Sequence, residues 1–151
     1  MNHREKYGFC LIVMISLSLR VVFINHKSLW PDEALYLYIS QNLISNPLDL
    51  KGIQGDIFFL NPPLFLYVLS LLLRIDILDP RVLARSLTIL MDTGTVIIVF
   101  FMARALFGTS VGLISASLLS VNPLHWSTST RILTDVPLTF FMALSEFPKR
   151  I

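Results

Sequence analysis

Three apolar stretches, at residues 7–24, 82–106 and 110–123, set what this chain can fold into. About 18 consecutive apolar residues is the least that crosses a bilayer as a helix. The first stretch is broken only by Arg20, and the second holds one acid, Asp92. Of all residues 54% are hydrophobic and 15% charged, and the mean hydropathy is +0.70. Soluble domains carry about a quarter charged residues, so the sequence reads as an all-α integral membrane protein. A net charge of +2, with no basic cluster interleaved by aromatics, speaks against nucleic acid as a partner. The one cysteine, Cys10, lies inside an apolar run, so no internal disulfide is expected.

The ends of the stretches suggest a topology. His3, Arg4 and Lys6 precede the first run, which favours a cytoplasmic amino terminus. No small-x-small site follows it, so the run reads as an uncleaved anchor, with Arg20 snorkelling to the outer interface. Residues 25–81 then form an outer loop with juxtamembrane helices. One helix is expected over 34–45 and ends at Asn46-Pro47. Trp30, Tyr36 and Tyr38 suit an interfacial aromatic belt. A second helix starts after Asn61-Pro62-Pro63 and runs over 64–77. Its uninterrupted apolar part is about ten residues, too short to span. Asp79-Pro80 breaks it, Phe107-Gly108 caps the next helix, and a partial helix covers 136–144. If 64–77 crosses the membrane, Asp135 lands inside. If it rests at the outer face, Asp135 returns to the side of Asp32. The short apolar length selects the second topology. Residues 1–151 thus read as one truncated, multi-pass transmembrane domain of a cell membrane.

Charge placed beside hydrocarbon is costly and is usually functional. Asp32-Glu33 follows the first apolar stretch, and Asp135 follows the third. Both have ordinary structural readings: Asp32 as an N-cap with Glu33 in a first helical turn, and Arg131 with Asp135 as an ion pair four residues apart on one helical face. The island around Asn122, Pro123, His125, Trp126 and Arg131 is rich in hydroxyls, and such islands at membrane depth line water or another polar surface. Asp92 calls for a partner inside the bundle, either Arg20 or Arg85. His125 reads as an interfacial hydrogen-bonding group. No His/Cys cluster has metal-ligand spacing, and there is no P-loop, dinucleotide fingerprint or nucleophile elbow.

Taken in order, the residues resemble a known superfamily. The motifs are Leu29-Trp30-Pro31-Asp32-Glu33, Asn61-Pro62-Pro63-Leu64, Arg81 to Arg85 opening a helix, Ala103-Arg104-Ala105-Leu106-Phe107-Gly108, Asn122-Pro123, and Arg131-Ile132-Leu133-Thr134-Asp135-Val136-Pro137-Leu138. This set resembles the N-terminal part of the polyprenyl-phosphate-sugar-dependent membrane glycosyltransferases. That group includes dolichyl-phosphate-mannose protein mannosyltransferases and the aminoarabinose transferases that modify lipid A. The resemblance implies a multi-spanning helix bundle whose first outer loop lies over an active-site cavity. It implies sugar transfer from a polyprenyl phosphate to an acceptor hydroxyl with inversion. Asp32 would be the general base, Glu33 and Asp135 its partners at the catalytic centre, and Arg131, Asn61 and Tyr36 would contact substrate. Asn61 departs from the Lys or His common there. No cofactor is firmly implied, and a divalent cation is left open. Family members are several hundred residues long, so the chain is expected to be an N-terminal fragment, inactive alone and completed by a second polypeptide or a longer frame. The competing readings are a small non-enzymatic membrane subunit or assembly module and, less favoured, a transporter component.

Overall fold

The computed structural model describes residues 2–25, 28–53, 55, 63–75 and 78–147. All regular elements among them are helices: α1 (His3–Val22), α2 (Pro31–Ser45), α3 (Leu64–Leu73), α4 (Pro80–Phe107), α5 (Thr109–Val121), α6 (Pro123–Ser129) and α7 (Asp135–Glu146). Prolines open several of them. Pro31, Pro80 and Pro123 each occupy the first helical turn, where a missing N–H costs nothing. Two helices therefore begin earlier than the apolar pattern suggested: α2 starts at Pro31 rather than Ala34, and α4 at Pro80 rather than Val82. The seven-residue α6 was not expected at all. It forms because the Asn122 side chain accepts from the backbone N–H groups of Leu124 and His125, which caps a helix inside the polar island.

The 28-residue α4 is the hub of the bundle, and α1, α2, α3, α5, α6 and α7 all touch it. At 1.5 Å per residue it is about 42 Å long. Among the described residues it is the one helix both long and apolar enough to cross a bilayer; α3 and α5 are shorter apolar helices. Gly108, at φ 93°, ends α4 and donates its N–H to the Arg104 carbonyl. The chain then doubles back. A Cβ at Gly112 would lie 2.9 Å from the Phe100 carbonyl oxygen, so only a glycine lets α5 sit this close to α4. Phe9 of α1 stacks on Phe100 at 4.3 Å between centroids. Val96, Phe100 and Ala116 form the core of this layer. On another face of α4, Phe140 of α7 covers Gly94. A second core lies nearer the start of α4. It joins Leu37, Ile39 and Leu43 of α2 to Phe65, Leu66 and Leu69 of α3, with Ala84 and Ile132.

The charge at Arg20 does not snorkel, as the sequence reading expected; it is fully buried. Its Nε donates to Asp92, and its Nη1 donates to the Ser16 hydroxyl and carbonyl and, at 3.4 Å, to the Ser120 carbonyl. An acid on the neighbouring helix gives the guanidinium a partner that water would otherwise supply. Arg20, rather than Arg85, is thus the partner of Asp92. Ser120 sits where α5 ends, so Arg20 also serves a carbonyl near the proline break. His125 approaches the same acid, with Nε2 2.8 Å from Asp92 Oδ1. Farther along, the Thr88 hydroxyl donates to the Ser129 carbonyl at 2.9 Å. The contacts Phe100 to Gly112, Asp92 to His125 and Thr88 to Ser129 run in one direction. α6 therefore prolongs the path of α5 along α4 beyond a break at Asn122-Pro123.

Removing one member of a buried pair leaves an uncompensated charge, which costs about 3–5 kcal/mol. Asp92→Asn is expected to lower the thermal midpoint of the detergent-solubilised protein strongly. The double variant Arg20→Met with Asp92→Leu should recover most of that loss, and thermal unfolding followed by circular dichroism decides it. A double variant as unstable as Asp92→Asn would show that something other than charge compensation holds α1 to α4.

Candidate functional site

The site grows from the start of α2. Glu33 stands at the third position of that helix and is fully buried. Its carboxylate accepts from four donors. Oε2 takes the Trp30 backbone N–H at 3.0 Å and Arg85 Nη2 at 3.2 Å. Oε1 takes Arg85 Nε at 3.1 Å and the Ile132 backbone N–H at 2.9 Å. Arg85 Nη1 donates in turn to the Ile24 carbonyl at 2.8 Å. The Glu33–Arg85 pair thereby joins the end of α1, the start of α2, the second turn of α4 and the segment leading into α7. Burial is the largest influence on the Glu33 carboxyl and pushes its pKa upward. The Arg85 hydrogen bonds, the Trp30 and Ile132 amides and the Arg85 charge together outweigh it, so the group is held below its ordinary 4.5. Sequence reasoning placed Glu33 at the catalytic centre. The structure gives it no exposed surface and engages both oxygens, which is the environment of a residue that positions others.

Asp32, next to it, is exposed at the start of α2, and it follows Pro31 inside the helix rather than capping it. Asp135 is the first residue of α7 and is also exposed. Both carboxylates therefore lie in first helical turns, where the helix dipole favours negative charge. The Glu33–Ile132 hydrogen bond sets the start of α2 against the approach to α7. A groove of about 190 Å³ opens beside Asp135, lined by Thr134, Leu64, Phe65, Pro137, Leu138 and Phe141. It is apolar apart from the acid end.

Arg131 does not pair with Asp135 as the four-residue spacing suggested. It lies in the non-helical connection before α7, so the two do not share a helical face. Its guanidinium instead rests over the Trp30 indole, 3.8 Å from the ring centroid. Trp30 is 48% exposed, as an interfacial aromatic should be, but Tyr36 is 6% exposed and packs in the α2–α3 core. That placement takes Tyr36 out of the exposed aromatic belt. Asn61 falls outside the described residues. Among the described residues, no three His, Cys, Asp or Glu side chains gather as metal ligands. Sequence reasoning missed Arg85 as part of this assembly and missed the Trp30–Arg131 stack. The Arg81 to Arg85 pattern pointed at the first and nothing local pointed at the second.

A carboxyl held below its ordinary pKa contributes stability above that ordinary value and loses it as pH falls through the lower, folded one. The link between α2 and the α7 approach is therefore expected to weaken on acidification below about pH 4. Glu33→Gln should be less stable than the parent at neutral pH and show a flatter stability profile across the acid range, measured by denaturation at a series of pH values. Parallel profiles for the two proteins would remove Glu33 from this role.

Comparison with curated proteins and with solved structures found no match. A protein-family model does match, over residues 61–147, and its description is dolichyl-phosphate-mannose-protein mannosyltransferase. The matched span runs from Asn61 through α7 and includes Arg131 and Asp135; Asp32 and Glu33 lie before it. It covers more than half of the sequence, and the chain belongs to the dolichyl-phosphate-mannose-protein mannosyltransferase family.

Proposed function

We propose that this chain supplies the acceptor-activating end of a membrane glycosyltransferase that moves a sugar from a polyprenyl phosphate to an acceptor hydroxyl. Family membership brings the glycosyltransferase relationship, the lipid-phosphate sugar donor and the membrane setting. The observation that carries the finer reading is the Glu33 carboxylate, which accepts from both the Trp30 and Ile132 amides. It supports a site in which Asp32 and Asp135 belong to one aqueous face. Asp32, exposed at the start of a helix, is a carboxylate within reach of an acceptor from solvent and can serve as the group that takes a proton. In this reading the acceptor hydroxyl gives its proton to Asp32 while its oxygen attacks the anomeric carbon. The bond from that carbon to the phosphate oxygen breaks, the polyprenyl phosphate leaves with the electron pair, and the configuration inverts. Glu33 positions, Asp135 orients substrate at the head of the groove, and Arg131 meets the phosphate. Asn61 is a further substrate contact in this scheme. The bundle spans as a multi-pass domain with its amino terminus cytoplasmic and with α1, α4 and the α5–α6 pair crossing.

General-base catalysis contributes about 10²–10⁴-fold. In native membranes carrying the protein, Asp32→Asn is expected to reduce sugar transfer from a polyprenyl-phosphate donor by at least about 10²-fold while membrane insertion is unchanged. Undiminished transfer would exclude Asp32 as the base. The topology has its own test in a Cys10→Ser background. Cysteines placed at Ser28 and at Thr128 should react with an impermeant reagent from the same side of sealed vesicles. Reaction from opposite sides would divide the proposed site between two compartments and end this reading.

A further inference from the structure

Arginines in this bundle are held in two different ways. Arg20 and Arg85 are each neutralised by a carboxylate, Arg20 by Asp92 and Arg85 by Glu33, although Arg20 Nη2 has no acceptor. Arg131 makes no ion pair among the described residues, and its Nη1 is buried without a hydrogen-bond acceptor. What holds it is the face of Trp30, 3.8 Å below the guanidinium carbon. The difference matters chemically. A carboxylate binds the edge of a guanidinium and neutralises it, whereas an aromatic ring takes only its flat side and leaves charge and edge donors available.

The stack is also fixed from below. The two oxygens of the Glu33 carboxylate accept from the backbone of Trp30 and of Ile132, the residue after Arg131. Indole and guanidinium thus hang from two backbone points tied to one buried group. A half-buried cation without a carboxylate partner can receive an anion that offers two oxygens.

We propose that Trp30 is the positioning residue of this site, holding Arg131 uncompensated so that its edge meets the phosphate group of a ligand. The inference rests on the reading of Arg131 as the ligand-binding cation, and the experiment separates the two. The purified chain in phosphatidylcholine nanodiscs is titrated calorimetrically with farnesyl phosphate, inorganic phosphate and farnesol. Farnesyl phosphate should bind saturably and farnesol should not. Tighter binding of farnesyl phosphate than of inorganic phosphate assigns the site to a lipid-borne phosphate, and equal binding assigns it to free phosphate. Arg131→Gln should abolish binding. Trp30→Phe should stay within a few-fold of the parent, and Trp30→Leu should weaken binding about tenfold with unchanged helicity. In a Trp126→Phe background, where Trp30 alone emits, the phosphate ligand should shift the emission, and Arg131→Gln should erase that shift. This second readout decides the matter if Trp30→Leu does not fold. Binding by Trp30→Leu equal to the parent, with Arg131→Gln inactive, overturns the role of Trp30 and leaves Arg131 as the cation. Parent-like binding by Arg131→Gln, equal binding of farnesol, or no binding by the parent overturns the reading of Arg131 itself and Trp30 with it.

Discussion

A guanidinium with no route to water governs the packing of this bundle. Arg20 lies within α1, where a charge facing lipid would cost several kcal/mol, and its burial obliges other helices to come to it. Asp92 supplies the counter-charge from the middle of α4, and Ser120 offers a carbonyl from the end of α5. The requirement is geometric as well as electrostatic. It fixes the height of α1 against α4, and it places the break between α5 and α6 where a donor waits for the Ser120 carbonyl, whose helical partner, the Leu124 N–H, is taken by the Asn122 cap. The apolar contacts around Phe9, Phe100 and Ala116 then fill the space this alignment leaves.

A second carboxylate does comparable work nearer the start of α4. Through four donors Glu33 ties the start of α2, α4 and the approach to α7, and Arg85 carries the tie on to the end of α1. It converts one buried group into the frame that sets Asp32, Trp30, Arg131 and Asp135 in a common neighbourhood. The two acids of the Asp32-Glu33 dipeptide are adjacent in sequence and opposite in circumstance: one is exposed and the other has no contact with solvent. Helical geometry makes the division, because consecutive residues point about 100° apart around the axis.

Much of this was legible in the sequence. The apolar stretches gave α1, α4 and α5 within a few residues, Gly108 gave the end of α4, and Asp92 announced a partner that proved to be Arg20. The errors came from places where tertiary contacts decide. Arg20 could snorkel or pair, and one sequence does not say which. The spacing of Arg131 and Asp135 implied a shared helical face, but Arg131 stands in the connection before α7, where helical spacing has no meaning. Tyr36 was read as interfacial because tyrosines favour that region, whereas its neighbours Leu37, Ile39 and Leu43 carry it into the core. The α6 helix hid inside a run of hydroxyl residues that discourages helices except behind a cap, and Asn122 supplies one.

Seventy-two positions separate Arg20 from Asp92, and that interval gives assembly an order. During synthesis α1 emerges with its cation long before the matching acid exists. Until α4 follows, Arg20 has only Ser16 of its own helix to satisfy it. Arrival of Asp92 supplies the counter-charge that holds α1 against α4. The seat of α1 is therefore complete only once α4 exists.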